Sequence, residues 1–310
     1  MAITLKQDSI PLATRGKPSW LTIAPPSGEA YPRLSSILQK HNLHTVCQEA
    51  HCPNLSECWS GGTATFMVLG DTCTRACKFC AVKTAFPPAP PDSQEPAKLA
   101  AAVKELGLEY VVVTSVNRDD LPDQGAGHFA ACITAIREQA PEVKIEILTP
   151  DFQGRVDLIE KVVKAEPNVF AHNLETVQRL QHPVRDPRAN YHQSLGVLKS
   201  VKSMAPALYT KSALMLGLGE TREEVLAALR DLRSVGVDFI TLGQYLRPTA
   251  WHVEVTEYIR PEVFKQYEKD ALELGFLYCA AGPFVRSSYR AGEFFLKRLL
   301  VREPAPAQPV

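Results

Sequence analysis

Tyr110 begins the stretch YVVVTSVNRDD, which ends at Asp120 and indicates the class of fold. It starts as a continuous apolar run, without alternation of polar and apolar residues. Such a run is typical of a parallel strand whose outer face is covered by helices. The stretch ends in polar residues, which mark a loop at the carboxyl end of that strand.

The same succession of a β-rich run and an amphipathic segment of helix length recurs along the chain. Polar clusters follow four of the β-rich runs, at 114–120, 173–175, 217–220 and 244–247. The predicted strands span residues 66–70, 110–116, 144–148, 169–172, 210–216, 239–242 and 276–280. The predicted helices span residues 95–106, 128–139, 157–165, 191–204, 222–234 and 261–274.

This alternation predicts an α/β fold, a partial (β/α)6 barrel of the TIM type with an N-terminal and a C-terminal extension. We expect the N-terminal extension at 1–62, the barrel at 63–282 and the C-terminal extension at 283–310. The polar clusters then share the barrel face at which such folds carry their chemistry. A doubly wound parallel sheet is the structural alternative.

Composition limits the classes of partner. The chain has 310 residues, and its 34 Lys and Arg are balanced by 34 Asp and Glu, so no overall positive charge favours nucleic acid. It has no apolar run of about 18 residues that could span a bilayer and no secretory signal pattern at its start. We therefore expect a cytoplasmic protein whose partners are proteins or small molecules, not nucleic acids or membranes.

Cysteine is the residue type that carries most information. Six of the eight cysteines lie between Cys47 and Cys80, in two triplets with different spacings. In a reducing compartment such clusters hold metal more often than they form disulfides. A zinc site usually pairs two short Cys or His units, whereas this segment has one C-x-x-C. The triplets are C-x4-C-x5-C at Cys47, Cys52 and Cys58, and C-x3-C-x2-C at Cys73, Cys77 and Cys80.

The second triplet, with the aromatic Phe79 before its last cysteine, resembles the motif of the radical S-adenosylmethionine (SAM) superfamily. Three thiolates on a 4Fe-4S cluster leave one iron without a protein ligand. The resemblance implies that SAM binds this iron and is cleaved there to a 5′-deoxyadenosyl radical. It also implies that the loop 114–120 and the turn 217–220 surround SAM. The cofactor-binding residues that we expect are Phe79, Ser115, Asn117, Asn173 and Glu175.

The first triplet, together with the motif Arg-Ser-Ser-Tyr at 286–289, resembles the lipoyl synthase family over residues 18–298. In that family the C-x4-C-x5-C triplet holds a second 4Fe-4S cluster, and a serine of the C-terminal motif is its fourth ligand. By position this ligand is Ser288, with Ser287 as the alternative. A serine oxygen suits iron–sulfur chemistry less well than a thiolate does, so one corner of the cluster would be released easily.

The resemblance implies a sulfurtransferase of the radical SAM type, which acts in lipoate biosynthesis. It would insert two sulfur atoms, supplied by the second cluster, at carbons six and eight of an octanoyl chain on a protein lysine. Its substrates would be octanoylated lipoyl carrier domains of 2-oxoacid dehydrogenase E2 subunits and of the glycine cleavage H protein. A ferredoxin or flavodoxin would donate electrons, and an iron–sulfur carrier protein would serve the second cluster.

Two other functions are compatible with clustered cysteines. A methylthiotransferase acting on transfer RNA also carries a second cluster, but it usually adds a basic RNA-binding module. An iron–sulfur electron carrier or a zinc-stabilised interaction protein rarely needs a barrel of this size. We expect the remaining two cysteines, Cys132 and Cys279, to be small buried hydrophobic residues.

Overall fold

A computed structural model describes residues 18–22, 30–50, 52, 54–60 and 65–288 of the protein. Its strands are β1 (His44–Thr45), β2 (Thr65–Val68), β3 (Thr72–Cys73), β4 (Lys83–Thr84), β5 (Tyr110–Ser115), β6 (Lys144–Leu148), β7 (Val169–Ala171), β8 (Tyr209–Leu216), β9 (Phe239–Gln244) and β10 (Tyr278–Gly282). Its helices are α1 (Ala30–His41), α2 (Val46–Glu49), α3 (Leu55–Ser60), α4 (Glu95–Leu106), α5 (Ala126–Gln139), α6 (Val156–Val163), α7 (Gln181–Val184), α8 (Tyr191–Met204), α9 (Arg222–Ser234) and α10 (Pro261–Glu273).

The central sheet has the strand order β1-β2-β5-β6-β7-β8-β9-β10. Strand β1 is antiparallel to β2, and each later neighbour pair is parallel. The parallel strands follow one another in chain order, whereas a doubly wound sheet would reverse its order. The doubly wound alternative is therefore wrong.

A partial barrel of the TIM type is confirmed. Six strand-helix units, from β2 and α4 to β9 and α10, lead to the last parallel strand β10. The sheet order ends at β1 on one side and at β10 on the other, so the described strands do not close the barrel. The domain bounds predicted from the sequence stay a prediction.

Local sequence explains where the elements begin and end. Helix α9 begins with a capping box, in which Thr221 and Glu224 each bind the other's backbone N–H group. Helix α4 is capped at its carboxyl end by Gly107, whose φ of 66° lies in the left-handed region that glycine adopts without a steric cost. Both helices turn apolar faces to the sheet, which is why the predicted positions agree with the observed ones to within a few residues.

The amino ends of the strands carry a buried ion pair. Glu146 on β6 accepts hydrogen bonds from the ammonium of Lys211 at 2.8 Å and from the hydroxyl of Tyr110 at 2.5 Å. The side chains of Glu146 and Lys211 are 3% and 8% exposed, so each satisfies the charge of the other away from water. This end of the barrel is thus filled by side chains, and the open space lies at the other end. Within the described ranges, no helix has both the length and the apolar character that crossing a membrane requires.

Candidate active site

A cavity of about 530 Å³ opens at the carboxyl ends of the parallel strands. All the site residues predicted from the sequence line it, together with the alternative Ser287. Their predicted roles stay predictions, but the fold brings them together from segments far apart in sequence. They are Cys47, Cys52, Cys58, Cys73, Cys77, Phe79, Cys80, Ser115, Asn117, Asn173, Glu175 and Ser288.

The loop that carries the second triplet is fixed by the buried guanidinium of Arg75. This side chain is 2% exposed, and it donates hydrogen bonds to Asp119 at 2.7 and 2.9 Å and to Asp151 at 2.7 and 2.9 Å. Burial alone would lower the pKa of Arg75, but the two carboxylates raise it above its ordinary value. Because Arg75 stands between Cys73 and Cys77, these bonds fix the backbone from which both thiols project.

Backbone N–H groups point at two of the sulfur atoms. The Sγ atom of Cys73 accepts from the N–H of Arg75 at 3.4 Å and from that of Asn117 at 3.3 Å. The Sγ atom of Cys77 accepts from the N–H of Asp186 at 3.3 Å. Hydrogen bonds to sulfur stabilise its negative charge and adjust the potential of an iron–sulfur centre.

Burial makes free thiolates unfavourable at Cys77 and Cys80 of this triplet. It raises the pKa of Cys77 to about 11 and that of Cys80 to about 12. Thiolates here need a positive partner, and the irons of a cluster supply one. A four-iron cluster takes one thiolate at each of three separate irons, and the three cysteines of this triplet, which all line the cavity, fit that requirement.

Buried polar atoms face the cavity beside the triplet. Ser115 Oγ, Asn173 Oδ1 and Thr241 Oγ1 have no hydrogen-bond partner among the described residues. Glu175 adopts a φ of 70°, and burial raises the pKa of its carboxyl group. Buried polar groups normally have partners, so these atoms are suited to a polar ligand such as SAM.

The first triplet lies against β2 on the other side of the cavity. Burial raises the pKa of Cys47 to about 11, and the nearby backbone of Thr65 opposes this rise. Burial also raises the pKa of Cys52, while the nearby guanidinium of Arg286 acts in the opposite direction. A cation beside a thiol favours a thiolate at this position.

The segment 283–288 brings the C-terminal motif to the first triplet. The side chain of Asn54 donates a hydrogen bond to the carbonyl of Phe284, and the hydroxyl of Thr65 donates one to Ser288 Oγ at 2.8 Å. The segment also crosses Gly243 so closely that a Cβ atom there would lie 1.9 Å from the carbonyl oxygen of Val285. These contacts place Ser288 beside Thr65 at the start of β2, and both Ser287 and Ser288 line the cavity. Tyr289 lies outside the described residues.

Of the two segments expected around SAM, only part of one lines this cavity. Residues 114–117 line it, whereas Arg118, Asp119 and Asp120 of the same loop do not, and Arg118 pairs with Asp120 at 2.8 Å. The turn 217–220 does not line the cavity, and Glu220 accepts hydrogen bonds from the N–H groups of Gly217 and Leu218.

The residues that support the cysteine loop were mostly not predictable from the sequence. Asp151 and Asp186 follow or precede short helices and look like ordinary caps or loop residues. His252 Nε2 lies 2.9 Å from the carbonyl of Cys80 and ties that loop to the segment after β9. Only Arg75 carried a signal, because it lies inside the triplet. Cys132 and Cys279 are 0% and 2% exposed, as expected for small buried hydrophobic residues.

The chain is similar to known proteins over most of its length. Residues 67–232 match the model of the Radical SAM superfamily. The chain is 57% identical to the lipoyl synthase of Thermus thermophilus, over 91% of this chain and 88% of the relative. It is 54% identical to the lipoyl synthase of Anaeromyxobacter sp., over 94% of this chain and 100% of the relative. It is also 54% identical to the apicoplast lipoyl synthase of Plasmodium vivax, over 94% of this chain and 68% of the relative.

Solved structures share the fold at low sequence identity. The FeFe-hydrogenase maturase HydG from Carboxydothermus hydrogenoformans has a TM-score of 0.53 and 14% identity, over 86% of this chain and 78% of that one. Streptococcus suis SuiB bound to S-adenosylmethionine has a TM-score of 0.53 and 11% identity, over 80% and 53%. At these identities the likeness shows the fold alone.

Proposed function

The chain belongs to the lipoyl synthase family of radical SAM enzymes, and from this premise we propose which of its residues carry each part of the reaction. The family binds a 4Fe-4S cluster and SAM. The function is insertion of two sulfur atoms at carbons six and eight of a protein-bound octanoyl-lysine, which gives lipoyl-lysine. The observation that carries the proposal is that both cysteine triplets and Ser288 line one cavity.

We assign the first 4Fe-4S cluster to Cys73, Cys77 and Cys80. The backbone hydrogen bonds to Cys73 and Cys77 stabilise their thiolates, and Arg75 fixes the loop. When bound, this cluster and SAM supply the 5′-deoxyadenosyl radical, and the protein places the target carbon and excludes water.

The proposed SAM contacts lie beside that cluster loop. Ser115 and Asn173 present buried oxygen atoms that lack partners among the described residues. Asn117 anchors Cys73 through its backbone N–H, and Phe79 lines the same wall of the cavity. Burial raises the pKa of the Glu175 carboxyl group, Asn173 opposes this rise, and the carboxyl group is suited to bind a donor of the ligand.

We assign a second 4Fe-4S cluster to Cys47, Cys52, Cys58 and Ser288. It would supply the sulfur atoms to the octanoyl chain. Ser288 reaches this site because the segment 283–288 lies across Gly243 and contacts Thr65. Because both sites line the same cavity, one substrate chain can reach the radical source and the sulfur source without leaving it.

The partners follow from this chemistry and stay proposals. Octanoylated lipoyl carrier domains, of 2-oxoacid dehydrogenase E2 subunits and of the glycine cleavage H protein, would insert the acyl-lysine into the cavity. A ferredoxin or flavodoxin would reduce the first cluster, and an iron–sulfur carrier protein would rebuild the second. The cytoplasmic location also stays a prediction, since one relative is an apicoplast protein.

An anaerobic assay with a reductant, SAM and an octanoyl-lysine peptide tests the assignment. The wild type should hold about eight irons, form 5′-deoxyadenosine and add two sulfur atoms to the peptide. Cys77→Ala should abolish SAM cleavage, whereas Cys52→Ala should retain cleavage and lose sulfur insertion. Equal loss of cleavage in both variants, with both clusters assembled, would contradict the division between the triplets.

A further inference from the structure

Thr65 directly contacts one of the proposed ligands of the second cluster. Its hydroxyl donates a hydrogen bond to Ser288 Oγ at 2.8 Å. The residue is 3% exposed and lies at the first position of β2, where pairing with Val112 of β5 fixes its backbone. A rigidly held residue thus contacts the proposed ligand that comes last in the chain.

The side chain of Thr65 is well suited to this position. A threonine is branched at Cβ, so its hydroxyl has few rotamers and a defined direction in a strand. A serine bound to iron through an ionised oxygen can only accept hydrogen bonds, so its neighbour must donate. Thr65 is such a donor, and it lines the cavity together with Cys47 and Ser288.

We propose that Thr65 is the positioning residue of the second cluster site, where its hydroxyl holds Ser288 Oγ in place. This inference rests on the proposed assignment of a second cluster to these residues. The segment 283–288 is otherwise attached through Asn54 and by packing on Gly243, at residues that precede Ser288. The hydroxyl of Thr65 therefore fixes the serine itself and stabilises its bond to iron.

A matched pair of substitutions separates the hydroxyl from the shape of the side chain. Thr65→Val keeps the shape of the side chain but removes the hydroxyl, whereas Thr65→Ser keeps the hydroxyl. Both are made in a Cys77→Ala background, so that iron reports the second cluster. Iron release to a ferrous chelator is timed after anaerobic reconstitution, and the paramagnetic resonance spectrum of the reduced cluster is recorded.

Thr65→Val should lose iron about 10–100-fold faster than its parent, which is the usual range for loss of a hydrogen bond to a metal ligand. The spectrum of its reduced cluster should also differ from that of the parent. Thr65→Ser should behave like the parent. Adding Thr65→Val to Ser288→Ala should change little, because the hydroxyl then has no ligand oxygen to hold. Should Thr65→Val not fold, Thr65→Ala removes the same hydroxyl.

Two failures can be told apart. If the Cys77→Ala parent binds no cluster although the chain is folded, the proposed second cluster is wrong. If the parent binds the cluster but Thr65→Val and Thr65→Ser lose iron at the same rate, the role of Thr65 is overturned. The role is also overturned if the increase in the rate of iron release in the double variant equals the product of the increases in Thr65→Val and Ser288→Ala, since the two side chains would then act independently.

Discussion

Replacing Arg75 by Met removes the cation that lies between Asp119 and Asp151. The side chain of Asp151 is 1% exposed and that of Asp119 is 8% exposed, so neither carboxylate regains water in the folded protein. Asp119 keeps Thr74 and Gln153 as hydrogen-bond donors. The main cost therefore falls on Asp151, which is left as a buried charge without its partner.

The magnitude follows from that uncompensated charge. Breaking a buried ion pair by removing one partner costs about 3–5 kcal/mol of unfolding free energy. For a chain of 310 residues, the typical unfolding entropy converts this into a fall of about 5–8 °C in the unfolding midpoint. Adding Asp151→Asn to Arg75→Met should recover part of the loss, because it removes the unpaired charge.

Thermal unfolding of the metal-free protein at pH 7, followed by circular dichroism, measures the effect. Arg155→Met is the matched control, because its ion pair with Asp157 is exposed and should contribute nothing measurable. The folded pKa values of Asp119 and Asp151 are lowered, against the opposing effect of burial, by hydrogen bonds from Arg75. The stabilisation is thus present above about pH 4, the unfolded value, and is lost as the pH falls through the folded values.

The reasoning is refuted if Arg75→Met unfolds at the same temperature as Arg155→Met. It is also refuted if the difference between wild type and Arg75→Met persists undiminished when the pH falls far below 4. Either result would mean that the ion pairs around Arg75 do not stabilise the fold.

Three further predictions test other parts of the structure. Burial lowers the pKa of His172 to about 4, so between pH 6.5 and 4 the unfolded chain binds a proton that the folded chain excludes. The unfolding free energy from urea titrations should therefore fall by about 3 kcal/mol as the pH is lowered over this range, and His172→Asn should remove this pH dependence. Gly243→Ala should displace Val285 and reduce bound iron from about eight to about four, whereas Gly196→Ala, with nothing within 4 Å, should keep eight. Cys279→Ala should retain all the iron and the sulfur insertion, because Cys279 is buried at 2% exposure away from the cavity.

Each has a result that would contradict it. An unchanged pH dependence in His172→Asn would show that another group is responsible. Eight irons in Gly243→Ala would show that the C-terminal segment is not needed to hold the second cluster. Lost iron in Cys279→Ala would give that cysteine a role that its burial does not indicate.

The sequence predicted the barrel well because its signals are local. The run of valines in β5 and the capping box of α9 each lie within one element and need no distant partner to be recognised. The cysteine triplets were equally visible, since spacing within a short segment limits which metal site can form.

Contacts between distant residues were not predictable in this way. Arg75 and Asp151 are 76 residues apart, and nothing in either segment names the other. The role of Glu220 in the turn 217–220 could not be read from the sequence, because a glutamate after glycines has the same pattern whether it binds a ligand or its own backbone N–H groups. Which of these happens depends on the direction of the side chain, which only the folded structure decides.

The contact between Thr65 and Ser288 also fixes an order of events in time. The two residues are 223 positions apart, so a ribosome must add nearly the whole barrel before the contact can form. Cys73, Cys77 and Cys80 belong to one loop that is complete early in synthesis. On the proposed assignment, the first cluster can be loaded on a growing chain, whereas the second must wait until translation has passed residue 288.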